Sequence, residues 1–155
     1  MLESSHKNYV LGLAFSENGR DILLIQKTKP EWQAGKLNGI GGKVEPYEGF
    51  NCAMVREFLE ETELYTTVAQ WDYIGKLKGR DWNGGTFTVY VYTLFHDDIC
   101  FFKSPTEEQV WLIPVESLER YLHIPNLDWL VPMALNHHAE KTQITRLKEF
   151  TVEYA

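Results

Sequence analysis

The segment Gly42–Leu64, GKVEPYEGFNCAMVREFLEETEL, decides how the rest of the chain is read. From Gly49 onward, Cys52, Val55, Phe58, Leu59 and Thr62 recur at spacings of three and four, which predicts a helix with these residues on its core face. Glu57, Glu60 and Glu61 follow the same spacings on the opposite face, so their side chains project from adjacent turns into one small volume.

At roughly 6 Å and an effective dielectric of about 20, each like-charged pair repels by roughly 3 kcal/mol, which calls for a cation between them. Oxygen-only ligands select a hard divalent ion: Mg²⁺, with waters and substrate phosphate oxygens completing its shell, or Mn²⁺ in its place. A solvated acidic helix face is the plain alternative. The residues upstream decide between them. Gly42 is followed by five residues and Glu48, then by seven residues and Arg56-Glu57, then by Phe58, Glu60-Glu61 and Leu64.

This pattern resembles the Nudix box, Gly-x5-Glu-x7-Arg-Glu-U-x-Glu-Glu-x-Gly-U with U a bulky apolar residue. That box is the signature of Mg²⁺-dependent hydrolases acting on nucleoside diphosphates linked to another group. Every fixed or apolar position matches except one, where Glu63 stands in place of glycine. Glycine there suits a left-handed residue closing the helix, and any other residue in that conformation costs about 1 to 2 kcal/mol, so the helix is expected to end slightly later.

The resemblance implies an α/β fold, a Nudix-type α/β/α sandwich with a mixed β-sheet, in a single domain spanning residues 1–155. It implies Glu57, Glu60 and Glu61 as metal ligands, and Arg56 as the partner of Glu48 that orients the helix carboxylates. Related enzymes often bring a further loop glutamate to the metal; Glu107 and Glu108 are the candidates, with Glu108 chosen of the two, and simple loop acids are the alternative for either. The general base stays open between Glu60 and Glu108.

A length of 155 residues suffices to bury a core without disulfides. The hydrophobic content of 44% and charged content of 24% are ordinary for a globular chain. A net charge of -7 argues against a broad basic surface for duplex nucleic acid, while leaving room for a mononucleotide held through metal. No membrane span or basic-then-apolar leader stands out, so a cytoplasmic location is expected, as monomer or homodimer. Cys52 and Cys100, the two thiols, are expected to be buried and reduced.

In chain order, Tyr9–Phe15 and Asp21–Gln26 are β-prone runs around an Asn18-Gly19 turn signal. Lys27, Lys29 and Lys36 surround the following loop. Lys27, at a strand end aimed toward the glycines, is the expected phosphate contact, where family members often carry a basic residue. Leu37 to Val44 contains Gly39, Gly41 and Gly42, which permit close approach of backbone to a ligand or to the next helix. The run resembles MutT-like nucleoside triphosphatases, in which a similar Asn-Gly-aromatic-Gly-Gly-Lys-Val run supplies an asparagine to the base pocket. That resemblance implies Asn38 as a base contact and Gly41, Gly42 and Lys43 beside the substrate. A turn asparagine bonding its own loop is the alternative for Asn38.

Thr67–Lys78 and Thr86–His96 read as two long antiparallel strands, the second with Phe87, Val89, Val91 and Thr93 on one face and Thr86, Thr88, Tyr90 and Tyr92 on the other. Trp82 between them could cover a base or pack on its own hairpin. Val110–Val115 is expected as a strand. Leu127–Ala139 is expected as a helix, capped by Asn126 or Asp128, with Leu130, Ala134 and Leu135 inward. Asn126 and Asp128 also resemble the base-recognition segment of the triphosphatase subset. His137 and His138 lack metal-ligand spacing and are expected at the surface. Ile144–Tyr154 could return as a last strand.

The expected activity is Mg²⁺-dependent hydrolysis of a nucleoside triphosphate to monophosphate and pyrophosphate, with a small-molecule nucleotide as the partner. ADP-ribose or dinucleotide pyrophosphatase activity is the rival; the ADP-ribose subgroup resembles sequences with a proline roughly sixteen residues past the box, and this chain has none between Pro46 and Pro105. A non-catalytic Nudix-fold nucleotide sensor is the alternative from another class, though such modules usually lose helix acids that this chain keeps.

Overall fold

Alternation writes the strands. In the computed structural model, which describes residues 5–81, 83–141 and 149–154, β1 (His6–Phe15) turns Val10 and Ala14 to one side of the sheet and Leu11, Leu13 and Phe15 to the other. The next strand, β2 (Asp21–Gln26), divides Leu23 and Ile25 from Ile22 and Leu24 in the same way. The Asn18-Gly19 signal forms their turn: Gly19 adopts φ 74°, and Asn18 Oδ1 accepts from the Arg20 amide at 3.0 Å.

The sheet is mixed. Pairing runs through β3 (Leu37–Asn38), β2, β1, β6 (Thr86–Phe95), β5 (Asp72–Arg80) and β8 (Phe150–Glu153), with β4 (Ile40–Lys43) on β1 and β7 (Val110–Pro114) on β2. The β1–β6 and β5–β8 pairs are parallel and the rest antiparallel. Leu23 pairs with both β1 and β7, and Ile25 with both β7 and β3, so β3 lies on the same edge of β2 as β1. The two central strands thus diverge, and residues 37–43 fill the split, β3 along β2 and β4 along β1. Asn38, Gly41 and Gly42 are placed at this opening.

One helix covers each face. The box helix α1 (Phe50–Thr62) packs Ala53, Met54 and Phe58 on Val10, Ala14, Leu23, Tyr92 and Leu94, while α2 (Leu127–Lys141) packs Leu127, Leu130, Val131 and Ala134 on Leu11, Leu13, Phe15 and Leu24. Leu130 and Ala134 face inward as expected, with Leu135 partly buried against the same core. The faces of β6 differ as its alternation indicates: Val91 joins the α2 side, whereas Tyr90 stacks on Phe50 and the Tyr92 hydroxyl donates to Asn51 Oδ1 on the α1 side.

Several local expectations are corrected. The buried stripe of α1 runs through Ala53, Met54, Glu57, Phe58 and Thr62, with Val55 partly buried against the same core and Leu59 half-buried, while Cys52 is turned out, because the helix is rotated to bring Met54 onto the sheet. Cys52 is therefore exposed, as is Cys100 in a 3-10 turn whose buried member is Ile99. The strand expected from Thr67 begins only at Asp72, since a 3-10 turn at Val68–Gln70 is closed by a capping box in which the Thr67 amide donates to Gln70 Oε1 at 2.8 Å. His138 stacks on Phe95 with ring centroids 3.6 Å apart rather than standing free at the surface. Trp82 and residues 144–148 of the expected last strand lie outside the described residues.

Candidate active site

Arg56 holds together the loop that leads into α1. Its Nε donates to Glu48 Oε2 at 2.7 Å and its Nη2 to Glu48 Oε1 at 2.9 Å, a bidentate fork, while Nη2 also reaches the Lys43 carbonyl at 3.1 Å. The guanidinium holds the Glu48 carboxyl below its usual range, and Glu48 in turn raises the Arg56 pKa. The remaining nitrogen, Nη1, donates to Glu57 Oε1 at 2.9 Å and to both Glu60 oxygens at 3.3 Å. One arginine thus connects the loop to two of the three helix carboxylates.

The acids occupy unlike environments. Glu57 is only 8% exposed, and burial pushes its carboxyl up against the opposing pull of Arg56. Burial also raises Glu61, despite a hydrogen bond from Thr106 Oγ1 at 3.3 Å. Glu60 is largely exposed. Glu108 comes from the loop before β7: burial pushes its carboxyl up but is outweighed by the Thr28 amide at 2.6 Å and Lys27 Nζ at 3.1 Å, and the net shift is downward. Thr106 Oγ1, which donates to Glu61 Oε2 at 3.3 Å and lies 3.2 Å from both the amide nitrogen and the carbonyl oxygen of Glu108, ties the loop of Glu108, and with it Lys27, to the helix acids.

Among the described residues no three carboxylates already converge as a ready-made ligand set; Arg56 sits between Glu57 and Glu60. The donor chemistry nevertheless fits a hard cation. It is oxygen-only, two of its carboxylates are raised by burial and so gain from a nearby positive charge, and Gly42 leaves the space a Cβ would fill for the Glu57 carboxylate.

A cavity of about 380 Å³ opens at the split in the sheet. Lys27, Asn38, Gly41 and Gly42 line one side. Leu77, Asp81, Phe87 and Tyr154 line the other, with Tyr9 and Leu11 from β1 also in the wall and Asn126 contributed by the residue before α2. Asn38 Oδ1 accepts from the Gly39 amide at 2.8 Å, and its Nδ2 reaches Gln33 Oε1 at 3.4 Å. Two residues anticipated at the substrate stand elsewhere. The Lys43 side chain is exposed and outside the lining, and Asp128 outside it receives His123 Nε2 at 2.6 Å. Thr28, Gln33, Asp81, Thr106 and Tyr154 carried no motif; only their meeting in space marks them.

The family model of the NUDIX domain matches residues 5–138. The chain belongs to the Nudix family. A curated relative, the CTP pyrophosphohydrolase of Escherichia coli (strain K12), is 32% identical over 108 residues, 68% of this chain and 76% of the relative. The solution structure of the E. coli ORF135 protein matches with a TM-score of 0.68 at 24% identity, covering 90% of this chain and 96% of that one. The NUDIX domain of Shewanella oneidensis NrtR, solved in complex with ADP ribose, matches with a TM-score of 0.65 at 14% identity, covering 88% and 89%. These structures share the α/β fold. Family and relative together make the chain a Nudix hydrolase with pyrophosphohydrolase activity, and enzymes of this family generally use divalent metal ions. No helix among the described residues is long and apolar enough to cross a membrane.

Proposed function

We propose that this Nudix hydrolase converts a nucleoside triphosphate to the monophosphate and pyrophosphate with Mg²⁺, or Mn²⁺ in its place, and that its base is cytosine. The observation that carries the reading is the continuity of the two halves of the site: Gly42 lines the cavity on one side and lies against the Glu57 carboxylate on the other. A base and sugar in the cavity would direct a polyphosphate past Gly41 and Gly42 toward the helix acids, with the Lys27 ammonium beside its path.

Glu57, Glu60, Glu61 and Glu108 are the residues that would hold the ion. When bound, such an ion neutralises the polyphosphate and lowers the pKa of the attacking water. Arg56 keeps the carboxylates oriented through its fork to Glu48. Water adds at phosphorus, the α–β bridging bond breaks, and a carboxylate takes the water proton. Glu108 is committed to Lys27 and Thr28, which favours Glu60 as that base.

Cytosine suits the polar lining. Its N3 and O2 accept hydrogen bonds and its amino group donates; Gln33, Asn38 and Asn126 offer amide donors, and Asp81 offers a carboxylate acceptor. The name of the E. coli relative points the same way.

The test is a substrate panel with Mg²⁺, containing the canonical and oxidised nucleoside triphosphates, ADP-ribose and diadenosine polyphosphates. CTP should be turned over best, with pyrophosphate as a product. Glu61→Gln should stay folded and lose about two to three orders of magnitude in kcat, because a ligand charge is lost without much change in volume. Preferred cleavage of ADP-ribose, or near-normal turnover by Glu61→Gln, defeats the reading.

A further inference from the structure

The far wall of the cavity is made by the C-terminal end of the chain. Parallel pairing of β8 with β5, from Gly75↔Phe150 to Lys78↔Glu153, is continued by the Tyr154 amide donating to the Lys78 carbonyl at 2.8 Å. This delivers the Tyr154 side chain to the cavity, where its hydroxyl donates to Asn126 Oδ1 at 2.8 Å.

Asn126 immediately precedes α2, a position from which an asparagine oxygen often caps the amides of the first turn. Here that oxygen meets a phenol from a distant segment. A phenol is a good donor, and once it donates to Oδ1 the amide has its Nδ2 hydrogens to offer a ligand in the cavity. The opposite amide orientation would turn an acceptor toward the ligand, so the arrangement observed, with the phenol donating to Oδ1, is the one that leaves the base a donor.

We propose that Tyr154 is a positioning residue for base recognition: its hydroxyl orients the Asn126 amide so that Nδ2 donates to an acceptor on the nucleobase, which makes the C-terminal strand part of the specificity machinery. The inference rests on the nucleotide reading of the cavity. Tyr154 acts through Asn126, and its ring walls the pocket whether or not the hydroxyl is present, so the hydroxyl can be tested alone.

In the full chain, Tyr154→Phe should raise KM for CTP about three- to tenfold, the effect of one neutral hydrogen bond, while kcat stays within about twofold. KM for ATP, GTP and UTP should change less, compressing selectivity, with the melting temperature nearly unchanged. Asn126→Asp, which cannot donate, should reproduce the loss, and the double variant should lose no more than the worse single one. An unchanged KM for CTP overturns the proposal, as do equal increases for every base or fully additive losses. If the wild-type chain hydrolyses no nucleoside triphosphate, the activity reading fails separately. Calorimetric titration with nucleoside monophosphates then decides this one: Tyr154→Phe must weaken the preferred monophosphate by the same factor, and equal binding by wild type and variant, or none by either, overturns it.

Discussion

A methyl group added at Gly42 would lie 2.5 Å from the Glu57 carboxyl carbon, whereas one added at Gly41 would run into the Val10 carbonyl across the β1–β4 pairing. The first obstacle is the end of a flexible side chain and can move; the second is backbone. Gly42→Ala should therefore keep most of its stability but push the Glu57 carboxylate aside, lowering kcat about ten- to a hundredfold and weakening Mg²⁺ binding, as steady-state kinetics and metal titration would read. Gly41→Ala should instead cost about 1 to 3 kcal/mol of stability in denaturant unfolding. The reverse pattern would show the metal side and the strand side wrongly apportioned. Both glycines stood out in the sequence as places of close approach, but which neighbour approaches each one depends on the strand lying over it.

Two elements end in ways that can be tested. The box helix stops at Thr62, and Glu63 itself takes the left-handed conformation, φ 61° and ψ 18°, with its amide donating to the Leu59 carbonyl at 2.9 Å. The departure from the family glycine does not lengthen the helix; it is absorbed as local strain. Glu63→Gly should stabilise the fold by about 0.5 to 1 kcal/mol after the entropy of the unfolded glycine is subtracted, raising the melting temperature by about 2 °C with activity unchanged. The second element is the segment before α2, which pairs with β3 through the Leu37 and Ile124 amides and is pinned by His123 on Asp128. Burial would lower the His123 pKa, but the Tyr121 carbonyl and the Asp128 carboxylate outweigh it and the net shift is upward. A raised histidine stabilises the fold fully below its unfolded value of about 6.5 and loses that contribution as pH rises through the folded value. Melting temperature should fall between pH 6 and pH 8.5, and Asp128→Asn should flatten that fall; identical profiles would remove His123 from the account.

At the scale of the whole molecule, a chain of net charge -7 sets the Glu57 carboxylate directly behind Gly42, a glycine that also lines the cavity. Glu57 and Glu61, both raised by burial, favour folding below the unfolded carboxyl value and lose that contribution as pH rises through their folded values. A divalent ion needs these groups deprotonated, so its stabilisation grows in the opposite direction. Added Mg²⁺ should raise the melting temperature by several degrees at pH 8 and by little at pH 5, with EDTA reversing the gain; a pH-independent effect would place the ion elsewhere. The sequence by itself determined the box helix and the strand alternation around it, because spacings of three and four and of two are local properties of helix and strand, while the Arg56–Glu48 pairing was implied by the resemblance to the family box. The same resemblance, together with their positions relative to the glycines and the following strand, marked Lys27, Asn38 and Glu108 as candidates. Only the tertiary structure decided that the buried stripe of α1 passes through Glu57, that Lys43 and Asp128 stand away from the cavity, and that Tyr154 closes it. Those outcomes depend on how the helix is rotated against the sheet and how β1 and β2 diverge, and such contacts join residues far apart in sequence that no local spacing records.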